Sequence, residues 1–358
     1  MKIIHSSDLH LNSKYPERLD ALNAIISLSR SENANLVLVA GDFFDSDREA
    51  DKLRPSLRDL LSSLPFKILV IPGNHDYKAY TSDLNFGNDV RILLAKPYEI
   101  YQTDELKIVA VPYANQNFND VVPSLNLETD PHKLNVLLVH CSLDIPYLKE
   151  DEFGDEERQL YLPVSSRVLA DIGFDFVFAG HFHSRSVENK ISDKTTFAYS
   201  GSPVSITRKE IGKRSVFILD TSLKKAEMLY FKTLGTFYYD EIKFTFGPEK
   251  EDEILGELED KLGKLDLERL KLSVTLDGFI SMEENEIKEK LKKIIGKYKK
   301  YQNNINLSER YRDVRGVLSD PLYMMFKNKL DKKDFKLELK DMINQVVTLQ
   351  FSQLKFIK

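Results

Sequence analysis

Five short polar clusters, each directly after an apolar run, constrain the fold of this chain more than any other feature. The clusters are Asp8-Leu9-His10, Gly41-Asp42, Gly73-Asn74-His75-Asp76, His140 and Gly180-His181-Phe182-His183. Continuous apolar runs are typical of strands that are buried on both faces of a sheet. Because ligands of open α/β sheets bind outside the carboxyl ends of the strands, the five clusters are expected to meet at one point.

The residue types in these clusters are those of a metal site. Imidazoles, carboxylates and an amide oxygen are common metal ligands, and five of the seven histidines of the chain lie in the clusters. Residues two apart in an extended segment point the same way, so Asp8 should point with His10, and His181 with His183. Any one cluster alone has a plainer explanation, such as a turn or a core histidine. The five together, each after a buried strand, favour a metal site.

The hydrophobic pattern predicts an α/β architecture. Apolar runs such as 36–42 and 67–76 alternate with amphipathic helical segments, the first of which covers 16–33. The later apolar runs, from 195 to 232, follow one another without intervening helices, so antiparallel strands are expected there. The chain is therefore predicted to be α/β (α+β overall), with a mixed two-sheet β-sandwich flanked by helices.

The pattern changes after Gly235. A strand at 237–246, a helix at 250–265, a strand at 270–280 and a further helix predict a small α/β domain, and two short helices follow from Asp320 onward. We therefore predict three parts: residues 1–234 with the polar clusters, a small α/β domain at 235–312, and a helical tail at 313–358.

Composition excludes several classes of protein. With 51 basic and 56 acidic side chains the net charge is −5, so the whole chain is not a basic nucleic-acid binder, and contact with nucleic acid must come from local basic patches or bound metal. Apolar stretches are too short for a transmembrane helix, and the N-terminal residues turn polar too soon for a signal peptide. A single cysteine, Cys141, excludes a disulfide framework. We expect a cytoplasmic protein with no membrane partner.

The order of the motifs resembles the calcineurin-like metallophosphoesterase superfamily, in which D-x-H, G-D, G-N-H-D, H and G-H-x-H follow one another. Within it, the chain most resembles the SbcD-type DNA nucleases, the prokaryotic relatives of the meiotic-recombination-eleven repair nuclease. Two segments carry this narrower resemblance, Gly41-Asp42-Phe43-Phe44-Asp45 and Tyr199-Ser200-Gly201-Ser202-Pro203. The resemblance implies a calcineurin-like phosphoesterase fold, with a capping domain at 235–312 and a tail that follows it.

The resemblance also implies how two divalent ions are held. One ion is expected on Asp8, His10, Asp42 and His183, and the second on Asn74, His140 and His181, with Asp42 bridging. Mixed nitrogen and oxygen ligation suits Mn²⁺, and Mg²⁺, Fe²⁺ and Zn²⁺ stay open as alternatives. The remaining positive charge would attract a phosphodiester anion.

Two further residues are predicted to act in catalysis. His75 follows the predicted ligand Asn74, so it is held at the rim, where it could protonate the leaving oxygen or stabilise charge on phosphorus. Asp45 lies three residues after Asp42. In related phosphatases a carboxylate at this place orients the histidine, and a similar role is expected here. Some members of the nuclease family carry a histidine there instead, and a solvated loop acid is the alternative for Asp45.

Three functions compete at this stage. The resemblance favours a two-metal-dependent DNA nuclease, an exonuclease or endonuclease of double-strand-break repair, whose partners are DNA, an SbcC-type SMC-like ATPase and a second copy of the chain in a homodimer. A small-molecule phosphodiesterase or phosphatase, for example on cyclic nucleotides, is the alternative because the same motifs serve such enzymes. A non-catalytic scaffold is the third, although such proteins usually lose ligands and all seven are intact here.

Two segments outside the clusters have open interpretations. Residues 288–300 contain seven lysines, which would suit either a helix that contacts the DNA backbone or an ordinary solvated helix face. In the tail, a helical stripe must pack on its own domains or on a partner, and the resemblance favours the ATPase as that partner. The stripe consists of Phe335, Leu339, Met342, Val346 and Leu349.

Overall fold

The computed structural model describes residues 1–80, 85–113, 118–144, 163–184, 186–231 and 237–333, and six single positions between 336 and 347. The chain divides into two compact units, Met1–Tyr239 and Asp240–Lys358. The predicted division of the second part at residue 312 stays a prediction.

Strands and helices alternate through most of the first unit. Its strands are β1 Lys2–Ser6, β2 Leu36–Ala40, β3 Lys67–Ile71, β4 Val90–Ile92, β5 Glu99–Gln102, β6 Leu106–Val111, β7 Leu134–His140, β8 Phe176–Gly180, β9 Val187–Lys190, β10 Thr196–Tyr199, β11 Ser215–Asp220 and β12 Lys225–Tyr230. Its helices are α1 Pro16–Ser31, α2 Asp47–Leu60, α3 Phe118–Leu125 and α4 Ser166–Ile172.

These strands form two mixed sheets. The first has the order β12-β11-β1-β2-β3-β4 and the second the order β5-β6-β7-β8-β10-β9. β1 to β4 run parallel to one another, as do β6, β7, β8 and β10, while β5, β9, β11 and β12 pair antiparallel with their neighbours. The predicted two-sheet α/β architecture is confirmed. β10 departs from the expected antiparallel series, because β9 and β10 form a hairpin that returns β10 to lie parallel with β8.

The two sheets pack face to face, with helices outside. Alternate residues of β2 point to opposite faces, so Leu38 lies in the core between the sheets with Phe178 of β8. Val39 points the other way and packs in the layer that contains Leu22 of α1. Full burial of such a side chain stabilises the fold by about 1.5–3 kcal/mol. This packing fixes the carboxyl ends of β1, β2, β3, β7 and β8 relative to one another.

The second unit contains a smaller sheet and its own helices. β13 Tyr238–Phe246, β14 Leu270–Ile280 and β15 Ile305–Glu309 lie side by side, and the short β16 Arg312–Asp313 also pairs with β14. The helices are α5 Glu251–Gly263, α6 Glu284–Gly296, α7 Arg315–Leu318 and α8 Pro321–Asp331, with a 3-10 helix at Lys299–Asn304. Leucines of α5 and α6, including Leu258 and Leu291, are buried.

The predicted tail stripe is described only in part. Phe335 and Leu349 lie outside the described residues. Leu339, Met342 and Val346 are exposed.

Among the described residues, no helix is both long enough and apolar enough to cross a bilayer.

Candidate metal centre

All seven predicted metal ligands follow strand ends, and the two sheets share them. The first sheet supplies Asp8, His10, Asp42 and Asn74, and the second supplies His140, His181 and His183. Backbone hydrogen bonds hold neighbouring loops together, with the Asp8 N–H donating to the Gly41 carbonyl over 3.1 Å and the His10 N–H to the Asp42 carbonyl over 2.9 Å. The loops after β1 and β2 therefore form one interlocked edge.

The first predicted ligand set converges on one point. Asp8, His10, Asp42 and His183 are all buried, and one candidate ligand atom from each lies within 4.8 Å of the others. The Nε2 atoms of His10 and His183 are 3.1 Å apart. His183 Nε2 is also 3.9 Å from an oxygen of Asp8. Two imidazole nitrogens and two carboxylates aimed at one small volume suit a divalent cation.

The second predicted set lies next to the first and shares Asp42 with it. His140 Nε2 lies 2.8 Å from Asn74 Oδ1 and 3.3 Å from Asp42 Oδ2. The same Oδ2 atom is 3.8 Å from His10 Nε2 in the first set. The ring of His181 packs against that of His140, with 5.4 Å between their centroids. Asp42 Oδ2 therefore lies between the two groups, as a bridging ligand requires.

The buried carboxylates of the two ligand sets favour a bound cation. Burial alone would lower the pKa of His140, but Asp42 and then Asp8 outweigh it and raise the pKa to about 10. Burial would raise the pKa of Asp42, yet the neighbouring His140 and His10 hold it well below its usual range. Removing charges from water costs several kcal/mol per ion unless an opposite charge compensates. The Asp/His cluster is thus compatible with a dinuclear metal site.

The tautomer of His140 is set by a backbone contact. Its Nδ1 donates to the Ala40 carbonyl of β2 over 2.8 Å, which turns Nε2 toward Asn74 and Asp42. Such a bond on the far ring nitrogen orients a ligand histidine and increases its basicity.

Tight backbone approach makes the cluster possible. A Cβ on Gly41, which has φ of +89°, would lie 2.2 Å from His140 Nδ1, and a Cβ on Gly73 would lie 2.1 Å from Asp42 Oδ1. Four predicted ligands also have positive φ, namely 52° at Asp8, 46° at His10, 49° at Asp42 and 116° at His181. Such residues cost about 1–3 kcal/mol each and persist where the surroundings over-determine them, as at functional sites.

His75 and Asp45, the two predicted catalytic residues, both lie beside His10. The His75 backbone N–H donates to Asp42 Oδ1 over 2.9 Å, and its half-buried ring lies 4.7 Å from the His10 ring, centroid to centroid. Asp45 Oδ1 lies 3.5 Å from His10 Nδ1 and accepts from Arg18 over 2.7 Å. Burial would raise the pKa of Asp45, but His10 and Arg18 hold it well below its usual range. Asp45 is thus an ionised neighbour of His10.

Sequence reasoning placed Asp76 in the third polar cluster but assigned it no role, and the structure shows that it supports the candidate ligands. Asp76 is buried and accepts from the Gly73 N–H over 2.8 Å, the Phe44 N–H over 3.1 Å and the Tyr80 hydroxyl over 2.6 Å. It thereby ties the loop after β3 to the loop after β2. Burial, and next the charge of Asp42, raise its pKa to about 7.

Glu210 is a supporting residue that sequence reasoning missed. It is fully buried, and its Oε1 lies 3.4 Å from His183 Nδ1. Its carboxylate also accepts from the Ile206 and Thr207 backbone N–H groups over 2.8 and 3.2 Å. Arg214, also buried, donates to the carbonyls of His183 and, over 2.8 Å, of Ser202. The available signal was a glutamate and an arginine at 210 and 214, shortly after the family-like segment 199–203.

The Tyr199–Ser202 segment braces both ligand sets. The Tyr199 hydroxyl donates to the Cys141 carbonyl over 2.7 Å, directly after His140. The Ser202 hydroxyl donates to the Asp8 carbonyl over 2.7 Å. The segment that carried the family resemblance therefore holds two ligand loops in place.

Comparison with known proteins agrees with this geometry. The sequence model of the family described as calcineurin-like phosphoesterase matches residues 1–185, just over half of the 358-residue chain. The chain is 24% identical over 262 residues to the SbcD component of the SbcCD nuclease of Bacillus subtilis, and the match covers 62% of this chain and 66% of that protein. It is 23% identical over 245 residues to the DNA double-strand break repair protein Mre11 of Methanococcus maripaludis, 59% of each chain.

A third relative is named for a different activity. A probable cyclic nucleotide phosphodiesterase of Coxiella burnetii is 32% identical over 95 residues, which covers 25% of this chain and 35% of that protein. In all three comparisons the match spans less than two thirds of the relative's length.

Proposed function

The chain belongs to the calcineurin-like phosphoesterase family, and from this premise we propose that it is a two-metal-dependent DNA nuclease. The observation that carries the proposal is the bridging position of Asp42 Oδ2, 3.3 Å from His140 Nε2 and 3.8 Å from His10 Nε2. Two nuclease relatives support DNA as the substrate. The reaction is hydrolysis of a phosphodiester bond, in exonuclease mode, endonuclease mode or both.

The ligand sets assigned from the motifs fit two divalent ions. Asp8, His10, Asp42 and His183 would hold one, and Asn74, His140 and His181 the other, with Asp42 shared. When bound, such ions polarise phosphoryl oxygens and lower the pKa of water toward about 7. Mn²⁺ is the ion we propose, because it accepts mixed nitrogen and oxygen ligands.

The protein side chains supply orientation and proton transfer. His75 is anchored by its backbone to Asp42, which leaves its half-buried imidazole at the rim to donate a proton to the leaving oxygen or to stabilise charge on phosphorus. Asp45, held by Arg18, lies against His10 Nδ1 and would fix that ring. A direct action of Asp45 on His75 stays a prediction.

A cyclic-nucleotide phosphodiesterase is the second candidate, favoured by the Coxiella relative.

One assay separates the nuclease from the cyclic-nucleotide phosphodiesterase. Purified full-length protein with Mn²⁺ is offered single-stranded DNA, linear duplex DNA and a cyclic nucleotide side by side, each with a chelator control. We expect chelator-sensitive cleavage of DNA. Cleavage of the cyclic nucleotide alone would favour the second candidate, and no cleavage by fully metal-loaded protein would favour a scaffold.

We also propose the cellular setting implied by the nuclease relatives. The chain would act in the cytoplasm, as a homodimer, with an SbcC-type ATPase in double-strand-break repair. The ATPase would contact the helical tail. The exposed face of α8, formed by Leu322 and Met325, gives that contact an apolar surface, because these side chains are 63% and 59% exposed.

A further inference from the structure

A cationic pocket lies entirely within the second unit. Its volume is about 350 Å³, and its walls are formed by Lys243, Thr245, Asp277, Phe279, Arg310 and Arg312 around Gly278. Three basic side chains and one acidic side chain give it a local charge of +2, in a chain whose net charge is −5. The pocket therefore departs from the overall charge in the direction that favours an anion.

Strand geometry aims its two arginines in one direction. The Arg310 backbone N–H donates to β14 over 2.7 Å, and Arg312 belongs to β16, which pairs with the same strand. Residues two apart in extended chain share a face and lie roughly 6.6 Å apart. Tyr311, between them, packs on Phe246 with 5.4 Å between ring centroids. Both arginines accordingly line the pocket.

The arginines retain donors for a ligand, whereas the acid in the pocket is already engaged. Asp277 accepts from the Thr245 hydroxyl over 2.8 Å and pairs with Lys243 over 2.5 Å. The Arg310 side chain donates one described hydrogen bond, from its Nε to the Ser308 hydroxyl over 3.2 Å, and it also attracts Asp277 electrostatically. Within the described part of the chain, no hydrogen bond or ion pair engages the guanidinium group of Arg312. An incoming anion thus meets two guanidinium groups that have unused N–H donors.

The backbone at the centre of the pocket requires glycine. Gly278 interrupts β14 with φ of +97°, and a Cβ there would lie 2.2 Å from the Phe246 carbonyl oxygen. A glycine inside a strand often marks a bend or a close backbone approach. Phe279, the next residue, adds an apolar wall.

We propose that this pocket is a second, non-hydrolytic site that binds phosphate esters. Guanidinium groups bind phosphate oxygens through paired N–H donors, and two of them on one strand face suit successive phosphates of a nucleic-acid strand. Phe279 offers apolar surface to a sugar or base. The phosphate chemistry follows from the pocket itself, whereas a nucleic-acid strand as its source rests on the proposed nuclease function.

The lysine-rich segment is the competing surface. Several of its lysines are matched by acidic neighbours, since Lys288 pairs with Glu284 over 2.5 Å and Lys290 with Asp252 over 2.7 Å. Lys297 pairs with Glu259. Such pairs reduce the positive field that a phosphate backbone would meet at these three lysines, which favours the pocket as the anion site.

Binding of a labelled single-stranded oligonucleotide to the full-length chain tests the proposal. A chelator keeps the strand intact, and inorganic phosphate and adenosine monophosphate serve as competitors. We expect Arg310→Ala with Arg312→Ala to weaken binding about tenfold or more. The slope of log K against log salt should fall by about 1.4, for two phosphate contacts on a single strand. The charge-matched control, Lys292→Ala with Lys293→Ala, should change affinity less than the arginine pair does.

Each outcome decides between alternatives. Equal losses in both double variants, or wild-type binding of all three probes by the arginine variant, would overturn the pocket. If the arginine variant bound the oligonucleotide normally and only lost competition by adenosine monophosphate, the pocket would be assigned to free nucleotides. If the melting temperature of the double alanine variant falls, the variant Arg310→Gln with Arg312→Gln is used in its place. Hydrolysis of a small aryl phosphodiester with Mn²⁺ should stay at the wild-type level in the arginine variant. If the wild-type protein did not hydrolyse the aryl phosphodiester, the proposed nuclease function would be wrong instead.

Discussion

The two units differ in where their functional candidate charges lie, buried in the first and exposed in the second. In the first unit, charged and imidazole side chains such as Asp8, Asp42 and His140 are fully buried, and each touches a neighbouring loop or strand. In the second unit, charges such as Lys288 and Arg312 are exposed on a helix face or around an open pocket. Buried charge must be compensated at fixed positions, whereas exposed charge is compensated by water. We therefore expect single substitutions to be far more damaging in the first unit.

Asp42→Ala should have the largest effect. Asp42 touches both ligand sets through one oxygen atom, so its removal should release both ions and abolish hydrolysis. Metal analysis of the purified variant provides the check. Asp89→Ala, which removes another buried aspartate that pairs with Lys67, should keep both ions. Two ions per chain in the Asp42 variant would refute the ligand assignment.

His75→Asn should lower turnover by about 10²–10⁴-fold, the usual range for a general acid or base. Metal content and DNA binding should persist, because the described anchor of His75 to Asp42 is a backbone N–H that asparagine retains. His132→Asn, at an exposed loop histidine, serves as the control for the substitution itself. Turnover near the wild-type rate would remove His75 from the mechanism.

Glu210→Gln should weaken metal affinity by about 10–100-fold, the range seen when a group that orients a ligand histidine is altered. Calorimetric titration of the metal-free protein should show the loss for the ion on His183, with the other ion little changed. Glu49→Gln, at another buried glutamate, tests for a general loss of stability. Equal weakening of both ions in the two variants would mean that Glu210 only supports the fold.

The tail offers a test in the second unit. Leu322→Ser with Met325→Ser removes apolar surface from the exposed face of α8, so capture of the SbcC-type ATPase should fall about tenfold while the melting temperature holds. Tyr323→Ala is the contrasting variant, because Tyr323 is buried against Val314 and Val317 and its loss should lower the melting temperature. Unchanged capture by the double serine variant would argue against α8 as the partner surface.

Lys288→Ala should have the smallest effect. Its ammonium already pairs with Glu284 on the exposed face of α6, and surface pairs of this kind contribute little. Oligonucleotide affinity and melting temperature should both match the wild type within error. A marked loss of affinity would restore the lysine-rich helix as a DNA surface and weaken the contrast between the units.

The contrast between local strand-end motifs and tertiary contacts explains which parts of the candidate site the sequence could predict. The strand-end clusters could be recognised from sequence, because each buried strand leads directly into a candidate ligand such as Asp42 or His140. The supporting groups could not, since Glu210 and Arg18 reach His183 and His10 only through tertiary contacts, 27 and 8 residues away in the chain. Short edge strands β4, β5 and β9 were also missed, because strands of three or four residues carry too little alternation to detect.

In the second unit, pattern alone predicted the elements but not their surroundings. The strand predicted at 270–280 is β14, and the helix predicted at 250–265 is α5 within two residues. The seven lysines of 288–300 could not be interpreted from sequence, because their acidic partners Asp252 and Glu259 come from a different helix. The arginine pocket was likewise hidden, since it joins residues from β13, β14 and the segment after β15.

The candidate ligands come from both sheets, and this arrangement would have a thermodynamic consequence. Asp42 follows β2 of the first sheet and His140 ends β7 of the second, so an ion held by both would cross-link the sandwich. A ligand that binds only the folded state stabilises it by about 2.7 kcal/mol at one hundred times its dissociation constant. Loss of such an ion would then lower the free energy of unfolding of the sandwich as well as remove the ion from the site.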